Sequence, residues 1–153
     1  MTHLKMTARY DVPIEKAFEL VADYKRYPEW NASFAEIDKV SGPTEQVGTK
    51  FHTIMKVFGR RIEGSMEVAE VQKPRLLKLM GTGIEGGKLT MVNRLMPAGT
   101  GTDFEIEADY ELPASILGQI ADKLFVEKTV ERDLRHSLEN FKALVETKER
   151  VLV

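Results

Sequence analysis

The C-terminal run constrains the fold most. Residues 115–148 hold no proline and a single glycine, Gly118. Apolar residues recur there at Leu117, Ile120, Leu124, Leu134, Leu138, Phe141 and Val145, in steps of three and four or their sums. That spacing predicts one amphipathic helix of roughly 30 residues, about 45 Å long at 1.5 Å per residue.

The sequence before it reads as a sheet. Phe104, Ile106, Ala108 and Tyr110 alternate with Asp103, Glu105, Glu107 and Asp109, giving one apolar face and one acidic wet face. Phe51, Thr53, Met55 and Val57 alternate with Lys50, His52 and Lys56, and Gly59-Arg60 reads as a tight turn. Ile62, Met66 and Val68 continue the pattern, with Gly64 on the same face, where glycine marks a bend or bulge. Further strands are expected at 76–80 and 88–96, separated by a glycine-rich loop at 81–87 and followed by a hairpin turn at 97–101. At the N-terminus, Leu4, Met6, Ala8 and Tyr10 alternate with Lys5, Thr7 and Arg9. Pro13 then suits the first turn of a helix over 13–23, with Ile14, Ala17, Phe18 and Val21 on its apolar face. Residues 24–31 read as a turn with one or two helical turns, and a strand follows at 34–40.

The predicted order is strand, helix, short helix, six strands, long helix. This is an α+β chain whose antiparallel meander curls around the terminal helix, as a single domain over 1–153. A sheet curled around a helix leaves a space between the two, a common place for a ligand pocket.

Composition excludes several function classes. The 153 residues carry 22 Lys+Arg against 24 Asp+Glu, without the basic excess of a general nucleic-acid binder. Cysteine is absent, which removes disulfides, thiolate metal sites and a cysteine nucleophile. His3, His52 and His136 are scattered, two on wet strand faces and one off the helix stripe, so no metal site is expected. Gly81, Gly83 and Gly86 match the G-x-G-x-x-G count, but they join two strands rather than a strand to a helix. A dinucleotide cofactor is therefore not expected, nor any other. No apolar run approaches the ~20 residues of a membrane span, and the N-terminus lacks a secretory pattern. The expectation is a cytoplasmic protein without stable membrane insertion. Its oligomeric state is open, a homodimer included.

The segments Val12-Pro13-Ile14-Glu15-Lys16-Ala17-Phe18 and Asp23-Tyr24-Lys25-Arg26-Tyr27-Pro28-Glu29-Trp30 resemble the opening of the START/polyketide-cyclase (SRPBCC) superfamily. Gly101-Thr102, then Tyr110-Glu111-Leu112-Pro113 and the long helix, resemble its closing half. The order of elements is similar across essentially the whole chain, most like a polyketide cyclase/dehydrase-type member. The resemblance implies a helix-grip fold: a seven-stranded curved antiparallel sheet around a long C-terminal helix, with two short helices after the first strand. It also implies a hydrophobic cavity between sheet and helix. Superfamily members include lipid and hormone binders, aromatic polyketide cyclases and coenzyme-Q-binding proteins, so fold alone does not select the role.

The expected ligand is hydrophobic or amphipathic, of lipid, isoprenoid or polyketide-like character. Candidate cavity walls are Tyr10, Phe51, Met55, Met66, Phe104, Ile106, Tyr110, Ile120 and Leu124. Met6, Met55 and Met66 lie on predicted inner strand faces, where adaptable methionines suit varied apolar shapes. Trp30 and Phe34, with Tyr27, form an aromatic cluster that the resemblance sets at one side of the cavity mouth. Glu127 and Glu131 fall within the apolar stripe of the long helix, and a carboxylate facing an apolar interior is costly unless paired or hydrated. They are candidates for a polar end of the cavity, and with Tyr110 for acid–base work. Alternatively, the stripe shifts toward Val126 and Val130, leaving both glutamates wet or paired with Lys128 or Arg135. The functional alternatives are a cyclase- or dehydratase-type enzyme in the same cavity, and a protein-interaction domain.

Overall fold

A computed structural model describes residues 2–120 and 122–147. Seven strands form one antiparallel sheet: β1 (Thr2–Tyr10), β2 (Phe34–Asp38), β3 (Lys50–Val57), β4 (Arg60–Gln72), β5 (Leu76–Gly83), β6 (Lys88–Ala98) and β7 (Gly101–Glu111). Their spatial order is β1-β7-β6-β5-β4-β3-β2. The six consecutive strands from β2 to β7 thus form a meander, and β1 closes it by pairing with β7. Between β1 and β2 lie α1 (Ile14–Val21), a 3-10 turn (Tyr24–Arg26) and α2 (Tyr27–Trp30). After β7 come α3 (Ala114–Leu117) and the long α4 (Lys123–Thr147). This is the expected α+β helix-grip architecture.

Period-two patterning sets the two faces of the sheet. Leu4, Met6, Ala8 and Tyr10 turn inward on β1, and His3, Lys5, Thr7 and Arg9 turn out. On the outer face polar and charged groups pair across strands, as in His3–Asp109 (2.7 Å), Arg9–Asp103 (2.9 Å) and Arg94–Glu105 (3.0 Å).

Three expectations need correction. First, the terminal helix is not continuous: α3 ends at Leu117, and α4 starts only after Asp122. Asp122 Oδ1 accepts the N–H groups of Leu124 (3.0 Å) and Phe125 (3.3 Å), so it caps a new helix. Apolar residues keep near-helical spacing through the break, which hides it from a periodicity argument. The expected end at 148 lies outside the described residues. Second, β5 runs to Gly83, so the glycine-rich loop shrinks to a turn in which Gly86 N–H bonds Gly83 C=O (3.0 Å). Third, Gly64 does not mark a bulge. The β4–β5 register shifts between Val68 and Glu70 instead, and Gly64 lies against the paired strand, where a Cβ would come 2.5 Å from the Thr82 carbonyl oxygen.

One end of the grip is filled. Tyr10, Trp30, Phe104 and Phe141 are each at most 1% exposed. Ring centroids are 4.8 Å apart for Phe104–Phe141, 5.0 Å for Trp30–Phe141 and 5.1 Å for Tyr10–Phe141. Leu138, Phe141 and Val145 seat the C-terminal half of α4 on this end. The N-terminal half of α4 faces a hollow.

Candidate functional site

The hollow lies between the concave face of the sheet and α4. Its volume is about 160 Å³, counted as room for the centres of water-sized molecules. One water needs about 10–15 Å³ on that measure, so a molecule with on the order of ten heavy atoms fits. The apolar lining comes from β2 (Phe34), β3 (Met55, Val57), β4 (Ile62, Met66), β6 (Leu89, Met91) and β7 (Ile106, Ala108, Tyr110). These residues meet because strict alternation sends every second side chain of each strand to the same face.

Of the candidates, Phe34, Met55, Met66, Ile106 and Tyr110 line the cavity. Tyr10, Trp30 and Phe104 do not; they are inside the solid aromatic end. Phe51 is also core, stacked on Tyr24 with centroids 4.7 Å apart. Met6 packs at the edge of the core, outside the cavity wall. Ile120 precedes α4 and does not reach the cavity, and Leu124 is 57% exposed on its first turn.

Glu127 and Glu131 also lie off the cavity wall. The Glu131 carboxylate takes the Arg135 guanidinium at 3.5 Å, and Glu127 lies 4.0 Å from the Lys123 ammonium. The reason is rotational. The helix face toward the cavity carries Thr129, Val130, Asp133, Leu134 and Ser137, so the buried stripe sits nearer Val126 and Val130 than the apolar spacing implied. Met91, Asn31, Thr53, Asp133 and Ser137 are wall residues that the sequence reading missed. The four-residue spacing of Thr129, Asp133 and Ser137 beside Val126 and Val130 was the signal available.

Polar groups in the wall differ in how far they are satisfied. Asn31 Oδ1 accepts the Ser33 N–H at 3.1 Å. The Tyr110 hydroxyl is buried and lacks a well-formed hydrogen bond among the described residues. Burial pushes its pKa up, the Thr2 side chain opposes that, and the Glu127 carboxylate adds to it.

Four elements meet at the mouth. The β3–β4 turn brings Phe58 to Phe125 of α4, with centroids 6.0 Å apart. Arg60 contacts Glu85 at 3.3 Å, and Glu85 accepts the Ser115 hydroxyl at 2.7 Å. The β3–β4 hairpin, the β5–β6 turn and α3 are thereby tied together.

The fold is shared with solved structures of low sequence identity. A protein from Thermus thermophilus superposes with a TM-score of 0.75 at 18% identity, covering 96% of this chain and 99% of that one. A START superfamily protein from Mycobacterium smegmatis gives 0.74 at 16% identity, covering 95% and 97%. An aromatase/cyclase from Streptomyces sp. R1128 gives 0.74 at 14% identity, covering 96% and 94%. No curated protein matches the chain in sequence. Residues 1–146 match the family model described as polyketide cyclase / dehydrase and lipid transport, and the chain belongs to that family.

Proposed function

We propose that the protein binds a hydrophobic or amphipathic small molecule, of lipid, isoprenoid or polyketide-like character, between the sheet and α4. The observation that carries this reading is the cavity itself, hollow where the other half of the grip is packed solid, and walled by Phe34, Met55, Met66, Met91 and Ile106. Three of those five are methionines, whose side chains re-pack around different shapes. Removing about 200 Å² of ligand apolar surface from water is worth about 5 kcal/mol, before the cost of ordering the ligand.

The test is an uncharged naphthylamine dye whose emission rises in apolar surroundings, measured on the protein and on Met55→Trp. The indole fills the space that the dye would take. Saturable uptake by the wild type and its loss in a folded Met55→Trp variant is the expected result. Equal dye response in both would sink the reading. Native mass spectrometry of protein from its host identifies any retained molecule.

Catalysis by a cyclase- or dehydratase-type reaction is a second reading, favoured by the Tyr110 hydroxyl, which is buried in the wall and can donate a proton. Turnover of a poly-β-keto substrate that Tyr110→Phe abolishes would support it.

A further inference from the structure

Helix α4 contributes polar residues to the cavity wall. Thr129, Asp133 and Ser137 share one helix face and all line the hollow. Two of the three are already engaged. Thr129 Oγ1 donates to the Phe125 carbonyl at 2.9 Å. Ser137 Oγ donates to the Asp133 main-chain carbonyl at 2.8 Å and accepts the Ala32 N–H at 2.9 Å.

The Asp133 carboxylate has capacity to spare. Its Oδ1 has one long contact, 3.5 Å from the guanidinium of Arg132, and its Oδ2 has no hydrogen bond among the described residues. Its side chain is 30% exposed. The other charged side chains of the main wall, Lys56, Glu63, Lys88 and Glu111, belong to exposed residues at the rim. Asp133 is therefore the charged group set deepest among the charged lining residues.

Thr53, on β3, borders the same cavity. It is 2% exposed, and its hydroxyl makes no hydrogen bond to a described residue. The Tyr110 hydroxyl in the same wall is buried without a well-formed hydrogen bond among the described residues, and such a group costs free energy that a ligand can recover. A carboxylate only accepts, whereas a hydroxyl both donates and accepts. A ligand donor fills the acceptor capacity that Asp133 has to spare.

We infer that the ligand presents a neutral hydroxyl or amine hydrogen-bond donor to Asp133, while its apolar body lies against Met55, Met66 and Met91. The inference rests on the binding function proposed above and narrows its ligand class. Alcohols, phenols and amines satisfy the wall. Carboxylates and phosphates do not, because a second negative charge beside Asp133 in an apolar hollow is repelled. A purely hydrocarbon ligand covers Asp133 without pairing it and strips its water.

Three probes on one naphthalene scaffold separate these cases: naphthol, methylnaphthalene and naphthoate, all substituted at the same ring position. Their affinities are measured by calorimetry at neutral pH on the protein and on Asp133→Asn. The expected wild-type order is naphthol, then methylnaphthalene at least about tenfold weaker, then naphthoate weakest. In Asp133→Asn the naphthol-to-naphthoate ratio falls by about tenfold or more, and methylnaphthalene binds more tightly, because covering an amide costs less than covering a carboxylate. The amide keeps the carboxylate's shape, and its melting curve checks folding. Should it fail to fold, the wild-type order decides alone. Naphthol binding no tighter than methylnaphthalene, or a ratio unchanged in the folded variant, overturns the donor inference and leaves the cavity reading standing. Binding of none of the three overturns both.

Discussion

The Tyr10 hydroxyl donates a 2.8 Å hydrogen bond to the main-chain carbonyl of Leu138. This bond ties the end of β1 to the middle of α4 across 128 residues of sequence. It sits at the filled end of the grip, beside Phe104 and Phe141. Tyr10→Phe keeps the ring and removes the bond, with an expected loss of about 1 kcal/mol. For a chain of this size that lowers the melting temperature by about 2–4 °C. Because Tyr10 is not a cavity wall, dye uptake by the folded variant stays unchanged. Thermal melts and dye titrations on the same samples check both parts.

Alkaline pH acts on the same end of the molecule. Burial pushes the pKa values of Tyr10, Tyr24 and Tyr27 above the usual tyrosine value. Each hydroxyl also donates to a main-chain carbonyl, of Leu138, Thr44 and Val21 respectively. A raised folded-state pKa means that the native state holds the proton more tightly than the unfolded chain. The stabilisation is complete below about pH 10, the unfolded value, and is lost as pH rises beyond it. Melting temperatures therefore fall above about pH 10, and most tyrosinate absorbance appears together with unfolding. Early, non-cooperative ionisation of all four tyrosines in the folded protein would contradict this.

The sheet was readable from the sequence because one rule covers it. Asp103 through Tyr110 alternate without a break, and the structure keeps that alternation as outward acids and inward apolar groups. The site was read less well, for two reasons. Tyr10, Phe104 and Met66 all point inward, yet periodicity cannot tell a face packed against Phe141 from one that looks into a hollow. That depends on the volume of the side chains opposite. On α4, Leu124 and the preceding Ile120 pulled the inferred stripe toward Glu127 and Glu131, although Leu124 is apolar and exposed at the mouth. Asp133 was passed over because a polar wall residue breaks the very pattern by which buried faces are recognised.

The β3–β4 turn carries a conformational cost. Phe58 and Gly59 have φ of 50° and 78°, so both central residues of this two-residue hairpin lie in the left-handed region. Asn-Gly is the favoured pair there, and a phenylalanine is held in it at a cost of about 1–2 kcal/mol. What Phe58 gains is its ring contact with Phe125 and a place in the cavity lining. With Phe58 half-buried and Phe125 exposed, the ring pair itself returns only about 0.5 kcal/mol. Phe58→Asn is expected to raise stability by about 1 kcal/mol and to speed dye release by opening the mouth. Denaturant unfolding and stopped-flow displacement measure the two effects, and slower release would show that Phe58 does not cover the mouth.

Two glycines separate close approach from mere flexibility. At Gly64 a Cβ would lie 2.5 Å from the Thr82 carbonyl oxygen and 3.0 Å from Gly83 Cα. Both neighbours are main chain, so neither can rotate away, and β4 must part from β5. At Gly118 the nearest atom, the Ala114 carbonyl oxygen, would be 3.6 Å away, and φ is −70°, which any residue adopts. Gly64→Ala is therefore expected to cost about 1–3 kcal/mol through overpacking. Gly118→Ala is expected to add about 0.4–1 kcal/mol by restricting the unfolded chain. Gly64 also lines the cavity, so its alanine variant loses dye affinity as well as stability, while Gly118→Ala leaves affinity unchanged. Denaturation midpoints and dye titrations of the two variants give opposite signs of stability change if the strand contact at Gly64 is as close as the structure has it.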